Sequence, residues 1–166
     1  MTPKSFHVSG SDGSQIHLLQ WSREGVPVLL VHGFGNEAHI WEDFAPAIAD
    51  TYQVLAMDLR GHGDSSWDEK ARYDYADHER DLEAVITGLG FERLVLVGHS
   101  LGGRVCIRYA AAHPEQIAGL VIVDSAPELD PRGIVRISQD VDQHRDPSFE
   151  SVGQYENYLS TSYPAA

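Results

Sequence analysis

Only one cysteine, Cys106, stands in the chain, so no intramolecular disulfide holds it together. It falls on an apolar helical stretch and is expected as a small buried filler. Basic residues are scarce: 12 Lys+Arg against 25 Asp+Glu, a formal net charge of -13. Such a surface repels phosphate backbones and anionic headgroups, which makes nucleic acid and membrane surfaces poor partners. The chain has no apolar run of membrane-spanning length. It does not open with a charged segment followed by an apolar one, the mark of a secretory signal. A cytoplasmic location is the expectation. Internal repeats and low-complexity segments are lacking. So is metal-ligand spacing: His62 and Asp64 have no further ligands in a useful pattern, and neither metal nor cofactor is expected. The first strand-to-helix turn lacks G-x-G-x-x-G, which excludes a dinucleotide-binding reading.

What is present is apolar mass, 42% of 166 residues, enough for a globular core. Residues 4–9 and 15–21 flank the turn cluster Gly10-Ser11-Asp12-Gly13-Ser14 and predict an antiparallel pair of strands. His7 and His17 are expected on the surface of these strands. Val26 to Val31 reads as the first fully buried strand, with Pro27 tolerated near its start. Ile40, Trp41, Phe44 and Ile48 then recur at about the helical period, so 37–49 is expected to be helical, with Pro46 a break or the start of a second turn. Tyr52 to Met57 is the next strand. Leu82, Val85, Ile86 and Leu89 give 77–89 an amphipathic helical stripe. Leu94 to Val97 is the third apolar run. The helix after it stops at His113-Pro114 and carries Arg104 and Arg108 on one solvated face. Ile117 to Val123 is the fourth strand, ending at Asp124. Strand and helix alternate from 26 to 123, which specifies a parallel, doubly wound α/β sheet with helices on both faces. Beyond it come Pro127, Pro131, Pro147 and Pro164 among polar residues, with short helices expected over 133–144 and 148–160.

The third strand runs into Gly98-His99-Ser100-Leu101-Gly102-Gly103. A Gly-x-Ser-x-Gly between a buried strand and a helix is what a nucleophile elbow needs. The serine then sits at the tip of a sharp turn in strained backbone. The glycines let strand and helix approach where a Cβ would clash. The first amides of the helix are left unpaired in front of the serine.

Three segments now coincide in order, each after an apolar strand: His32-Gly33-Phe34-Gly35, then Asp58-Leu59-Arg60-Gly61-His62-Gly63-Asp64-Ser65, then the elbow. Together, over roughly residues 4–130, they resemble the α/β-hydrolase superfamily in its esterase, lipase, lactonase and carbon–carbon hydrolase branch. The resemblance implies an eight-stranded, mostly parallel sheet with a helical cap after the sixth strand. Residues 1–124 would be the N-terminal part of the core and 125–166 the start of the cap or lid, with the seventh and eighth strands not in this chain. It implies Ser100 as nucleophile, with the backbone amides of Leu101 and Phe34 as the oxyanion hole. His32 and His99 match structural positions, and Asp58 and Arg60 a loop that shapes the site. The dehalogenase and epoxide-hydrolase branches use Asp where this chain has Ser100, and are disfavoured.

In this family the chain order is Ser, acid, His. After Ser100 the only histidines are His113 and His144. His113 is expected on the side of the sheet away from the elbow, and His144 in a polar cap segment. Asp124 is expected to cap the segment after its strand, although some relatives place their acid there. Ile117–Val123 would be a bare apolar edge that a C-terminal companion segment or an oligomer covers. The function expected is a serine hydrolase of small carboxylic esters or lactones acting through an acyl-enzyme on Ser100, with the His and the acid supplied by a C-terminal part. Phe34, Trp41 and Trp67 suggest an apolar acyl pocket. The alternatives are a catalytically incomplete binding module and a cofactor-free perhydrolase on the same scaffold.

Overall fold

The apolar runs of the sequence become the strands of one six-stranded sheet. The computed structural model describes residues 1–127, 135 and 148–162. In chain order it shows β1 (Lys4–Ser9), β2 (Gln15–Gln20), β3 (Val26–Val31), α1 (Ala45–Ile48), β4 (Tyr52–Met57), α2 (Tyr75–Gly88), β5 (Leu94–His99), α3 (Ser100–Ala112), β6 (Ile117–Val123) and α4 (Val152–Ser162). The strands lie in the order β1-β2-β4-β3-β5-β6. β1 and β2 form the expected antiparallel hairpin, with Phe6 opposite Leu18 and His7 opposite His17. β4, β3, β5 and β6 are parallel to one another.

Both faces of β3, β4 and β5 are covered, which is why those strands are apolar at almost every position. On one face Leu29, Val31, Leu55, Met57 and Leu96 meet Leu82, Val85 and Ile86 of α2 and Val105, Cys106 and Tyr109 of α3. On the other, Val28, Leu30, Val54, Ala56 and Val97 meet Ala38, Trp41, Ala45 and Ala49. Each fully buried aliphatic side chain contributes about 1.5–3 kcal/mol relative to exposure. Cys106 is buried as expected, and burial pushes its thiol pKa up. A capping box starts α2: the Asp74 side chain accepts from the backbone of Asp77, and the Asp77 side chain from that of Asp74.

Three expectations need correction. The helix expected over 37–49 is two short pieces, a 3-10 turn at Ala38–Trp41 and α1. The Ala38 N–H donates to Asp58 Oδ1 at 2.6 Å, which seats this segment on the loop after β4. Pro46 falls in the first turn of α1, where its missing N–H costs nothing. Trp41, offered for an acyl pocket, is core. His17, expected on the surface, is only 1% exposed, because the neighbouring Asp58 gives its ring a buried hydrogen-bond partner. His7 is exposed as expected.

β6 stands at the end of the sheet, and among the described residues no strand pairs with its outer side. Leu120, Val121 and Val123 are 38%, 49% and 41% exposed.

The chain divides into two compact units, Met1–Pro127 and Glu128–Ala166. In the second, α4 covers most of the stretch expected to be helical over 148–160, and Phe149 packs on Tyr155 and Tyr158 at 5.2 Å. The expected helix over 133–144 lies outside the described residues except for the helical Val135, and His144 lies outside them too. Among the described residues no helix is long and apolar enough to cross a membrane, and no group of three His, Cys, Asp or Glu is placed to hold a metal.

Candidate active site at the β5–α3 junction

Ser100 is the first residue of α3, immediately after β5, and its φ is 49°. A non-glycine residue in the left-handed region costs about 1–2 kcal/mol, so the surroundings must hold it there. They do so through close backbone packing. A Cβ on Gly98 would lie 2.6 Å from Gly103 Cα, and one on Gly102 would run into the carbonyl oxygens of Val31 and His32. The Gly102 N–H donates to His32 O at 3.1 Å, and Ser125 Oγ donates to Ser100 O at 2.9 Å. Ser100 itself is half-buried, and its Oγ has no hydrogen-bond partner among the described residues.

The turn after β3 abuts this elbow: a Cβ on Gly33 would lie 3.0 Å from Ser100 Cβ. Asn36 N–H donates to Gly33 O at 3.2 Å and Gly35 has φ 72°, the pattern of a type II turn with Phe34 at its first central position. In such a turn the N–H of that position is unpaired, and Phe34 N–H makes none of the described hydrogen bonds. Leu101 N–H lies in the first turn of α3, where helical amides have no partner within the helix. Neither the Phe34 nor the Leu101 N–H makes a hydrogen bond among the described residues, and both belong to segments that meet at Ser100. The Phe34 side chain is exposed and meets the His62 ring edge-on at 6.0 Å.

His32 is fully buried and uses both ring nitrogens. Nδ1–H donates to Gly33 O at 2.7 Å, and Nε2 accepts from Leu59 N–H at 2.9 Å. Burial pushes its pKa down to about 4, so it is neutral and fixed, a strut between two loops rather than a base. The buried Nδ1 of His99 has no partner among the described residues. His113 ends α3 and stacks on Tyr109 at 4.5 Å. Thirteen residues of helix separate it from Ser100 by about 20 Å at ~1.5 Å per residue. Asp124 is exposed, with φ 46°, and makes none of the described hydrogen bonds, so the expected cap is not seen. It leaves the sheet beside Ser100, since their predecessors Val123 and His99 are partners in the β5–β6 register.

The loop after β4 is anchored by two buried carboxylates. Asp58 accepts from Ala38 N–H at 2.6 Å, His17 Nδ1–H at 2.8 Å and Asp64 N–H at 3.0 Å. Asp81 of α2 takes Arg60 in a two-pronged pair, Nε at 2.6 Å and Nη2 at 2.7 Å, and also accepts from Ser11. Arg60 is 2% exposed, and the Asp81 hydrogen bonds hold its pKa above the ordinary value. Sequence reasoning did not single out Asp81, and it gave His17 no part in a site. The one available signal was an ionisable residue on an otherwise apolar face of strand or helix, which marks burial but not the partner.

The comparisons agree with this geometry. The family model described as alpha/beta hydrolase fold matches residues 26–147. Among curated proteins, a fluoroacetate dehalogenase of a Burkholderia species is 39% identical over 62% of this chain and 35% of its own. An esterase of Mycobacterium tuberculosis is 36% identical over 68% of this chain and 37% of its own. The chain thus spans about a third of the length of these relatives. Among solved structures, an alpha/beta hydrolase from Novosphingobium aromaticivorans superposes with TM-score 0.88 at 32% identity, over 97% of this chain and 57% of that one. The thioesterase domain of the curacin biosynthetic pathway gives 0.81 at 27% identity, over 99% and 63%. A family match of that extent, on a sheet and an elbow of this form, shows that the chain belongs to the α/β-hydrolase fold family.

Proposed function

We propose that the chain is the nucleophile-bearing part of a serine hydrolase that cleaves small carboxylic esters or lactones through an acyl-enzyme on Ser100. The observation that carries this reading is the left-handed Ser100 at the β5–α3 junction, flanked by the unpaired amides of Phe34 and Leu101. Packing does not require a strained serine there, and its Oγ bonds to nothing described. Attack of Oγ on a carbonyl would place the developing oxyanion against the two amides, where fixed donors stabilise it most. The polypeptide after β6 would supply the histidine that takes the Oγ proton and the acid that orients it, and would cover the exposed edge of β6. Ser100 stands where the dehalogenase and epoxide-hydrolase branches use Asp, which favours an acyl-enzyme on a serine hydroxyl over attack by a carboxylate. The substrate is a small molecule, no cofactor is used, and the enzyme works in the cytoplasm.

The test is hydrolysis of p-nitrophenyl acetate by protein of verified mass, with and without Ser100→Ala. In the 166-residue chain turnover is expected to be slow and nearly indifferent to the substitution, since no base stands beside Ser100 among the described residues. In a longer protein that carries the base and acid, Ser100→Ala lowers kcat by a factor on the order of 10⁶. The rate also falls on acidification through about 6.5 as the histidine protonates. Turnover in that longer protein that survives Ser100→Ala overturns the proposal.

A further inference from the structure

A second serine of this chain sits in a complete hydrogen-bonded array that the Ser100 site does not use. Ser5 Oγ lies 2.8 Å from His17 Nε2, and His17 Nδ1 lies 2.8 Å from Asp58 Oδ2. Ser5 is exposed on β1, while His17 and Asp58 are each 1% exposed. The Asp58 carboxylate also accepts the N–H groups of Ala38 and Asp64, so its orientation is fixed from three sides. An ionised carboxylate can only accept, which places the histidine proton on Nδ1 and leaves Nε2 as the basic nitrogen. The Ser5 hydroxyl then donates to Nε2. This is the proton order that activates a serine for attack. His7, whose ring lies 5.1 Å from that of His17, donates its Nε2–H to Asp64 O at 3.2 Å and so does not compete for Ser5.

The place of the array in the fold makes it independent of Ser100. β1 is the opposite edge strand to β6, and four strand spacings separate it from β5, about 19 Å at ~4.8 Å per spacing. Polypeptide that extends the sheet at β6 leaves Ser5 open. Ser5 and His17 lie on the face away from Phe6 and Val8, which pack into the core with α2.

We infer that Ser5 is a second nucleophile, a covalent modification site for activated acyl and phosphonyl donors that reacts without Ser100. With a fluorophosphonate, Ser5 Oγ attacks phosphorus, the O–P bond forms, the P–F bond breaks and fluoride leaves. The hydroxyl proton passes to His17 Nε2, and Asp58 stabilises the imidazolium while remaining a carboxylate. Ser5 lies in a regular ladder opposite Leu19 rather than at a turn that aims two amides outward. The site therefore has a base and no oxyanion hole, so it takes reagents with good leaving groups and keeps the group it acquires.

The experiment treats the full chain carrying Ser100→Ala with a tagged fluorophosphonate and maps labelled peptides by mass spectrometry over time. Ser9 is the internal control: it is exposed, on the same strand and the same face, opposite Gln15, with no histidine partner described. Ser5 is expected to label at least about 10²-fold faster than Ser9, the lower end of what a positioned base supplies. His17→Gln brings Ser5 down to the Ser9 rate, and unfolding in urea does the same to the unsubstituted His17 protein. Equal labelling of Ser5 and Ser9 in the folded chain overturns the inference. So does a preference for Ser5 that survives urea, because local sequence and not the array would then be its cause.

Discussion

The chain holds two serines in opposite circumstances. Ser100 has a left-handed backbone, a free Oγ and two unpaired amides beside it, but no base among the described residues. Ser5 has a base and a buried acid behind that base, but a relaxed strand backbone and no donors arranged for an oxyanion. Acyl transfer needs both halves. A fold can therefore assemble either half separately, and for different reasons. The Ser100 half follows from backbone geometry at a strand-to-helix turn. The Ser5 half follows from satisfying a buried carboxylate at the end of β4.

Asp58→Ala tests that second half most severely. It leaves His17 Nδ1–H, Ala38 N–H and Asp64 N–H without their acceptor. At ~1–3 kcal/mol for each buried donor left unpaired, the loss is expected to reach about 3–5 kcal/mol. Urea unfolding reads it as a lowered midpoint. A fall under about 1 kcal/mol would mean that Asp58 anchors little, in keeping with ordinary surface changes.

Acid comes next in size. His32 and His78 are buried, and burial pushes the pKa of each down to about 4 from the ordinary 6.5. Each takes up a proton in the unfolded chain before it does so in the fold. The stability they contribute is complete above pH 6.5 and is lost as pH falls from 6.5 through 4. Between pH 7 and pH 5 this amounts to roughly 2 kcal/mol for each, from ~1.4 kcal/mol per pH unit. Urea midpoints at the two pH values measure it, and His78→Phe, which has nothing to protonate, should reduce the acid sensitivity by about half.

The smallest effect divides the two serines by sign. Ser100→Gly relieves a left-handed residue and is expected to stabilise the fold by about 1 kcal/mol. Ser5→Gly loosens a strand and removes a hydrogen bond, and is expected to destabilise it by about 1 kcal/mol. Thermal unfolding of the two variants side by side decides the matter. The same sign for both would mean that Ser100 is not strained.

Much of the fold was legible because its signals are local. The four apolar runs, the α2 stripe of Leu82, Val85, Ile86 and Leu89, and the Gly98-x-Ser100-x-Gly102 spacing each depend on neighbours within a turn or a strand. For the candidate site, glycine spacing marks the elbow serine Ser100, the turn bearing Phe34 and the start of α3 bearing Leu101, and their roles remain the proposal. Residues 37–49 were misread because Ile40 and Phe44 keep helical spacing while facing solvent, at 41% and 43% exposure. What seats that segment is a hydrogen bond from the Ala38 N–H to the carboxylate of Asp58, twenty residues away.

By itself the sequence determined the class of sheet, the place of the elbow and the kind of residue at its tip. Those follow from side-chain periodicity and from where a Cβ does not fit. Tertiary structure alone decided that His17 is buried, that it joins Ser5 to Asp58, and that Arg60 is clamped by Asp81. These contacts span 12, 41 and 21 residues. Nothing in a local window distinguishes a histidine that will face water from one that will face a carboxylate. Only the strand order, which sets β4 beside β2, brings that carboxylate into reach.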